Sequence, residues 1–375
     1  MRRTVIAGVA LLTALGGCGK KEVTRTSDVP EDVLNRSAAP APPADAQLEP
    51  STVEKHAAGA YSRSAKAMGT RVTVTIWTDD EPGAAKVTSD IFGEFERVDR
   101  LMSSWLPDSD VSRINAGAGK APVAISDEVL GVIQKSIEIS KLTQGAFDIT
   151  VGSFRGLWKF DQDLDGTIPT RAQVEKRRKL VDYRKIQVDP AGKTVFLPTP
   201  GTRITLGGIA KGYTVDRAVE MLRERGFNSF IVQAGGDLYV SGRKGNRPWI
   251  VGIRDPRGPR NDSFALLPLT DGTFSTSGDY ERGLVVDGVR YHHIIDPATG
   301  YPATKSRSVT VLAKDAITAD VLSTSLFILG DVVGMKMVEK MPDVEAVFVD
   351  SKNQVKVSSG LKNRLQILHQ PTDGV

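Results

Sequence analysis

Residues 206–241 have the sequence LGGIAKGYTVDRAVEMLRERGFNSFIVQAGGDLYVS, which predicts one helix followed by two short strands. The helix runs from about Ile209 to Arg225 and ends at Gly226, because glycine readily adopts the conformation that terminates a helix. Two apolar runs then predict strands over Phe230–Gln233 and Leu238–Ser241, with a short connection between them. Closely connected strands after a helix favour an α+β domain with antiparallel neighbours.

The same mixture of elements continues on both sides of this stretch. An alternation of apolar residues predicts a half-buried strand over Thr70–Trp77. Four more helices are predicted: one from Pro82, one from Ser126 or Asp127 to Gly145, one from a capping box at Thr170 and one over Ala316–Leu329. Further strands are predicted around Ile186, Val195, Ile204, Trp249–Arg254, Ala265–Leu269, Arg307–Leu312 and Ala346–Val349. Helices and strands alternate irregularly, so the predicted class is α+β with mixed, largely antiparallel sheets and packed helices.

The N-terminus has the parts of a bacterial lipoprotein signal. Arg2 and Arg3 precede an apolar run over Val5–Leu15, which is shorter than the roughly 20 residues that cross a bilayer. Small residues then precede Cys18 in a pattern that resembles a lipobox, so residues 1–17 are predicted to be a signal peptide and Cys18 to carry lipid. The alternative is an ordinary signal with a chance cysteine. The prediction anchors the chain by lipid to a bacterial membrane on its periplasmic side, and leaves inner or outer membrane open.

The next segment, residues 18–61, has the composition of a linker. It contains five prolines and almost no large apolar residues, so it cannot bury enough surface to offset the entropy of ordering. A single folded domain is therefore predicted over residues 62–375. The net charge of +4, without basic clusters that include aromatic residues, gives nucleic-acid binding no support.

Two glycine-rich segments could approach a ligand through their backbone. In Leu206–Tyr213, helix N-terminal amides and Lys211 suit a phosphate, although neither the Walker A spacing nor a GxGxxG motif is met. The alternative there is a simple glycine turn with a solvated lysine. In Ala234–Asp237, the carboxylate of Asp237 could accept hydrogen bonds from a ligand, and a plain β-turn is the alternative.

Two further groups of residues could supply a base and a metal site. The chain has four histidines, and His292 and His293 are the pair that falls within the predicted folded body. Strand alternation would send them to opposite faces, so one could point into a site while the other faces solvent, and two surface histidines are the alternative. Asp320 and Thr324 lie four residues apart on one helix face, where a carboxylate and a hydroxyl suit Mg²⁺ or else form an ordinary polar stripe.

Taken together, these motifs resemble the ApbE family of FAD:protein FMN transferases, in order as well as in residue type. The matching segments are Met68–Thr70, Ser103–Trp105, Gly145–Thr150, Leu157–Phe160, Leu206–Gly212, Ala234–Asp237, Ser275–Gly278 with Tyr280 and Glu281, His293–Gly300, and Ala319 and Asp320 with Thr324. One departure is Thr205, where the family commonly has an acid. If that acid organises the loop or a cation, the rate or metal affinity would differ in this chain.

The resemblance implies an ApbE-like (T-fold-like) body and a Mg²⁺-dependent reaction. FAD is cleaved at its pyrophosphate, FMN is esterified to a threonine or serine of a target protein, and AMP is released. It implies His293 as the base and Lys211 as a catalytic phosphate ligand, with Mg²⁺ on the main-chain carbonyl of Ala210 and on Asp320 and Thr324. The residues expected to bind FAD are Met68, Asp148, Lys211, Asp237, Ser277 and His293.

Two other functions remain open at this stage. One is an FAD pyrophosphatase that releases FMN to water, and the other is a lipoprotein that binds flavin without chemistry. Self-flavinylation is not expected, because Asp296–Pro302 matches the family's acceptor motif at its first positions and fails at its last two. By family analogy the expected partners are flavin-acceptor subunits of membrane electron-transport complexes.

Overall fold

The computed structural model describes residues 52–55, 59–161 and 163–374. The predicted signal peptide, Cys18 and most of the predicted linker lie outside these residues. Strand β1 (Thr52–Lys55) pairs with β2 (Ala60–Ala67), and Tyr61 is buried in the core. The predicted boundary after residue 61 is therefore too late, because the folded region includes both strands. Composition alone does not distinguish these strands from a linker, because small and polar residues dominate both of them.

A nine-stranded sheet is the largest element of the described chain. After β2, its strands are β3 (Thr70–Trp77), β7 (Phe230–Ala234), β8 (Asp237–Ser241), β11 (Asp271–Gly278), β14 (Ser306–Ala313), β15 (Glu345–Asp350) and β16 (Val355–Val357). They lie in the spatial order β1-β2-β3-β7-β8-β11-β14-β15-β16. Each pair of neighbours is antiparallel, which confirms the predicted sheet type.

Three long helices cover one face of this sheet. They are three of the seven described helices, which are α1 (Glu81–Met102), α2 (Asp110–Gly117), α3 (Asp127–Leu142), α4 (Arg171–Arg178), α5 (Ala210–Glu224), α6 (Ala316–Leu329) and α7 (Asp331–Val338). The alternating residues of β3 are buried against α1 and α5, and α6 packs on β11 and β14. The described helices include none that combines the length and the apolar character needed to span a membrane.

Smaller sheets complete the described fold. The strands β9 (Trp249–Arg254), β10 (Ser263–Leu269) and β17 (Gln366–Ile367) form a three-stranded sheet that packs on the other face of the large sheet. A hairpin of β12 (Gly283–Val286) and β13 (Val289–His292) follows β11. The remaining sheet contains β4 (Val123–Ala124), β5 (Gln187–Asp189) and β6 (Thr194–Phe196), and 3₁₀ helices span Ile149–Phe154, Tyr183–Lys185 and Ser359–Leu361.

The predicted strand around Ile204 is wrong. Eight of the described strands were not predicted, namely β1, β2, β4, β11, β12, β13, β16 and β17. The backbone around Ile204 forms no strand, because the Asn115 side chain bonds both of its polar groups: Ile204 N donates to Oδ1 at 2.7 Å and Nδ2 donates to Ile204 O at 3.0 Å. Strand β11 escaped notice because it is rich in serine and threonine. By contrast, the capping box at Thr170 is confirmed.

Candidate active site

Three charged side chains from distant parts of the chain meet at the ends of α5, β8 and α6. Lys211 is in the first turn of α5, Asp237 begins β8, and Asp320 is in the second turn of α6. The Lys211 Nζ atom lies 2.7 Å from Asp237 Oδ2 and 3.3 Å from each Asp320 carboxylate oxygen. The alternatives of a solvated lysine and of a surface polar stripe are therefore wrong. We call these three residues the acid–lysine cluster.

The cluster forms because glycine allows α5 and α6 to touch. A Cβ on Gly212 would lie 2.3 Å from the carbonyl oxygen of Ala316 and 2.8 Å from Asp320 Cβ, so no side chain fits there. The short distance lets Gly212 N donate to Asp320 Oδ2 at 2.9 Å. The glycine that fails the Walker A spacing thus has another role, which is to bring Asp320 to the start of α5.

The cluster carries an excess negative charge in a buried position. Asp237 and Asp320 are 2% and 3% exposed, and one lysine faces both. Burial and the charge of Asp237 raise the pKa of Asp320. Burial alone would lower the pKa of Lys211, but the two carboxylates raise it above its ordinary value, so the lysine stays charged. Asp237 Oδ2 also receives no well-directed hydrogen bond, which leaves it able to accept one.

A row of hydroxyl groups extends from the cluster along β11 and α6. Ser275 Oγ donates to Asp237 Oδ1 and lies 3.2 Å from Ser323 Oγ. Ser277 Oγ lies 2.8 Å from Ser323 Oγ and 3.1 Å from Thr324 Oγ1. The structure therefore brings the predicted residues Ser277 and Thr324 to the same place as the predicted acids.

The two histidines differ from the prediction that one of them faces solvent. His292 is 3% exposed, with Nε2 2.8 Å from the carbonyl oxygen of Ala303 and its ring edge-on to Phe327. His293 follows β13 and is partly buried. Burial, with the positive charges of Arg282 and Lys211 and with His292, lowers the pKa of His293 to about 3, so the ring is neutral at pH 7 and able to accept a proton.

The two remaining predicted flavin ligands have different surroundings. Met68, at a positive φ of 49°, lies beside α5, where Thr214 Oγ1 is 3.5 Å from its sulfur. Asp148 is buried at the N-terminus of the 3₁₀ helix, where Oδ1 accepts from Thr150 and Oδ2 accepts from Tyr183 N at 2.9 Å. Since both oxygens already have protein donors, the carboxylate of Asp148 holds the fold together. Its contact with FAD stays a prediction.

Comparison with known proteins gives one consistent result. The model of the ApbE family matches residues 68–348, which include every residue of the site described above. The chain belongs to the ApbE family. It is similar to the FAD:protein FMN transferases of Treponema pallidum, at 31% identity over 82% of this chain and 89% of that protein, and of Vibrio cholerae, at 33% over 80% and 91%.

Solved structures of ApbE proteins have the same fold. The ApbE protein of Thermotoga maritima superposes with a TM-score of 0.74 at 34% identity, covering 84% of this chain and all of that one. The flavin transferase ApbE of Vibrio cholerae superposes with a TM-score of 0.73 at 29% identity, over 84% of this chain and all of that one. The predicted family and fold class are both confirmed.

The departure from the ApbE pattern at Thr205 has a local explanation. Thr205 Oγ1 accepts a hydrogen bond from Gly207 N at 3.3 Å, so the hydroxyl supports the glycine turn directly. A carboxylate at this position would add a negative charge beside the glycine turn. The threonine therefore keeps a hydrogen bond in the loop and omits that charge.

A cavity lies beside Trp105, which belongs to one of the family segments. Its volume is about 400 Å³, and the Arg155 guanidinium stacks over the Trp105 ring at 4.0 Å. Arg177, Arg203 and Asp163 complete its charged lining. Burial and the nearby Arg203 lower the pKa of Arg155. The cavity is thus positively charged on balance.

Two residues of this ApbE-family site were not predicted. Ser275 was missed although it is two residues from Ser277, and this spacing places both on one face of a strand. Arg282 was missed although it follows directly on the family segment Tyr280–Glu281. Recognition of β11 as a strand would have identified Ser275. Arg282 can be identified only by its contact with His293 across a hairpin, and the sequence alone does not reveal that contact.

Proposed function

We propose that this chain transfers the FMN part of FAD to a threonine or serine hydroxyl of a target protein and releases AMP. The observation that supports this most directly is the acid–lysine cluster, which lies within the region matched by the ApbE family together with His293 and the hydroxyl row. Relatives of the chain are named FAD:protein FMN transferases. A single lysine between two buried acids suits a ligand that brings both a cation and phosphate oxygens.

The cluster fits a divalent cation. Its net charge is −1, and the donors on offer are carboxylate, hydroxyl and carbonyl oxygens, which are the ligands that Mg²⁺ takes. We propose that Asp320, Thr324 and the carbonyl of Ala210 hold it. The Ala210 oxygen already accepts from Thr214 Oγ1 at 2.7 Å, so it is the most shared of the three donors. Bound Mg²⁺ would neutralise charge that develops on the pyrophosphate.

Residues of the chain would bind the phosphates and accept the proton of the acceptor hydroxyl. Lys211 and the amides at the start of α5 would bind phosphate oxygens. His293 Nε2 would take the proton of the acceptor hydroxyl while the oxygen of that hydroxyl forms a bond to the FMN phosphorus. The bond from that phosphorus to the AMP oxygen breaks, and AMP leaves with the electron pair. Proton acceptance of this kind contributes about 10²–10⁴-fold to a rate.

The experiment follows both products of FAD. The purified chain is incubated with FAD, Mg²⁺ and a protein that carries a candidate acceptor motif, and AMP is measured together with in-gel flavin fluorescence of the acceptor. The proposal expects both signals, and expects EDTA to abolish both. AMP with free FMN and an unlabelled acceptor would favour the pyrophosphatase, and no AMP at all would leave a flavin carrier.

Mg²⁺ binding can also be tested without turnover. A ligand that binds the folded state stabilises it by about 2.7 kcal/mol at a concentration 100-fold above its Kd. We expect Mg²⁺ to raise the melting temperature of the wild type and to leave that of Asp320→Asn unchanged. An equal shift in both proteins would place the ion elsewhere.

We also propose that Cys18 carries the lipid anchor and that the site works on the periplasmic side of a membrane, near electron-transport subunits with outward-facing flavin sites. Support comes from the signal and lipobox pattern of residues 1–18. A tether keeps enzyme and target at high effective concentration. The test compares cellular flavinylation in wild type and Cys18→Ser. Full flavinylation by the unanchored form would contradict a role for the anchor.

A further inference from the structure

Arg282 and His293 face each other across the open end of the β12–β13 hairpin. Gly283 pairs with His292, and one step further His293 N donates to the Arg282 carbonyl oxygen at 3.1 Å. The Nδ1 atom of His293 lies 3.3 Å from the same oxygen. Because a carbonyl oxygen can only accept, this contact requires the hydrogen on Nδ1 and leaves a lone pair on Nε2.

The side chain of Arg282 is held by two other parts of the chain. Nη1 donates to Asp161 Oδ1 at 2.6 Å. Nη2 lies against the turn that contains Met68, since a Cβ on Gly69 would be 3.4 Å from it. The side chain is 37% exposed, so the guanidinium borders solvent between this turn and the segment around Asp161. One residue thus links the histidine to two flanking loops.

We propose that Arg282 is the positioning residue of His293, an inference that rests on the proposed transferase function. Its carbonyl oxygen holds the ring in the form whose Nε2 can accept the acceptor proton, and its guanidinium, fixed by Asp161, disfavours a charged ring. The hydroxyl proton moves to Nε2 while Nδ1 keeps its own. The charged and titratable groups that face His293 are Arg282, His292 and Lys211.

The sign of the electrostatic effect can be derived from these groups. Burial is the largest cause of the low pKa of His293, and Arg282 is the next. Removal of the arginine charge therefore raises the pKa of His293 towards its ordinary value. A base with a raised pKa is protonated over a wider acidic range, so the acid limb of the pH–rate profile moves to higher pH.

The kinetic experiment uses the full chain and four variants. Arg282→Gln keeps the main-chain carbonyl but loses the guanidinium that fixes this end of the hairpin to Asp161. We expect its kcat to fall by about 10–100-fold, the range found for groups that orient metal-binding histidines, with the KM for FAD nearly unchanged. Its acid limb should move to higher pH. Arg282→Lys should restore the position of the limb but only part of kcat, because lysine lacks the planar fork that reaches Asp161. Asp161→Asn should lower kcat less than Arg282→Gln.

The matched control is Arg225→Gln, which removes an arginine from another exposed pair, with Asp90 at 2.6 Å and exposures of 39% and 42%. This variant should leave kcat, KM and the pH profile unchanged. The inference is overturned if Arg282→Gln behaves like this control. It is also overturned if Arg282→Gln raises KM alone, which would make the arginine an FAD-binding group.

A spectroscopic measurement tests the inference without turnover. Nitrogen-15 NMR of the histidine-labelled, detergent-solubilised full chain reports the tautomer and pKa of His293, with His293→Ala identifying the signal. We expect the Nδ1–H form in the wild type and a higher pKa in Arg282→Gln. The Nε2–H form in the wild type, or an unmoved pKa, overturns the inference. Absence of AMP in the transfer assay with the expected spectra would instead refute the proposed function and leave the positioning role standing.

Discussion

Two of the buried charged groups among the described residues differ in charge balance. Arg257 and Asp279 form a two-pronged pair, with distances of 2.7 and 2.8 Å and side-chain exposures of 8% and 9%. The acid–lysine cluster has two acids and one base. A paired buried charge is satisfied within the fold, whereas an excess charge is costly until a ligand compensates it. Imbalance of charge, more than burial, therefore distinguishes the candidate site from the buried pair.

The largest effect should come from removing the excess charge. In Asp320→Asn, the amide oxygen can still accept from Gly212 N, but the negative charge is lost. We expect the FMN transfer rate to fall by about 10³-fold or more, since a charged ligand to the reacting pyrophosphate is removed. The free energy of unfolding without Mg²⁺ should change by less than about 1 kcal/mol, because the repulsion between Asp320 and Asp237 disappears together with one lysine contact.

The measurements are steady-state transfer kinetics and urea unfolding in EDTA. Asp320→Glu is the matched control, because it keeps the charge and moves it by one methylene group. A loss of several kcal/mol of stability in Asp320→Asn, with activity lost in proportion to unfolded protein, would make the cluster structural and remove the contrast with Arg257 and Asp279.

The balanced pair should respond in the opposite way. Asp279→Asn leaves the Arg257 guanidinium buried without a counter-charge, and breaking such a pair typically costs about 3–5 kcal/mol. We expect a loss of this size in urea unfolding, and transfer activity per folded molecule far closer to the wild type than in Asp320→Asn. If stability falls by less than about 1 kcal/mol, the pair is more solvated than its exposure suggests.

Periodic elements could be predicted from the sequence, whereas contacts between distant segments could not. The strand Thr70–Trp77 and the helix Ala316–Leu329 have the predicted bounds, because their burial repeats at periods that are visible in one segment. Strand β11 has small polar residues whose burial depends on partners elsewhere, such as the pair of hydroxyls of Thr276 and Thr310 at 2.8 Å. Its alternation is therefore invisible in the apolar pattern.

The same distinction holds for the candidate site. The placement of Asp320 and Thr324 on one helix face follows from their spacing alone. The meeting of Lys211 with Asp320 does not, because it depends on the contact of α5 with α6 at Gly212. The tautomer of His293 likewise depends on Arg282, which lies 11 residues away across a hairpin. Residue types were predictable from motifs, and their partners required the fold.

Asp216 is a third case, a partly buried acid with backbone groups in place of a cation. Its oxygens accept from Ala316 N at 2.7 Å and Ile317 N at 2.8 Å at the start of α6. Burial, with repulsion from Asp315 and Glu220, raises the pKa of Asp216 to about 7. A raised pKa in the folded state means that its contribution to stability is complete below about pH 4 and is lost as the pH rises through 7.

Asp216→Asn should remove this dependence. The difference in unfolding free energy between wild type and variant is expected to shift by about 2–3 kcal/mol against the wild type between pH 5 and pH 8. Urea unfolding at the two pH values measures it, and comparison with the variant cancels the other titrating acids. A constant difference would mean that the two backbone donors keep Asp216 ionised throughout, as a cation would.

The smallest effect should come from an ion pair that is short but exposed. Arg225 Nη1 and Asp90 Oδ2 are 2.6 Å apart, closer than the atoms of the Arg257–Asp279 pair, yet both side chains are about two-fifths exposed. Water and salt screen such a pair, so Arg225→Gln should cost less than about 1 kcal/mol in urea unfolding, and less still at 1 M salt. A cost near that of Asp279→Asn would show that distance governs these interactions. The expected small cost would show that burial determines how much free energy is lost when a charge loses its partner. Only in that case does an unbalanced buried cluster require a ligand.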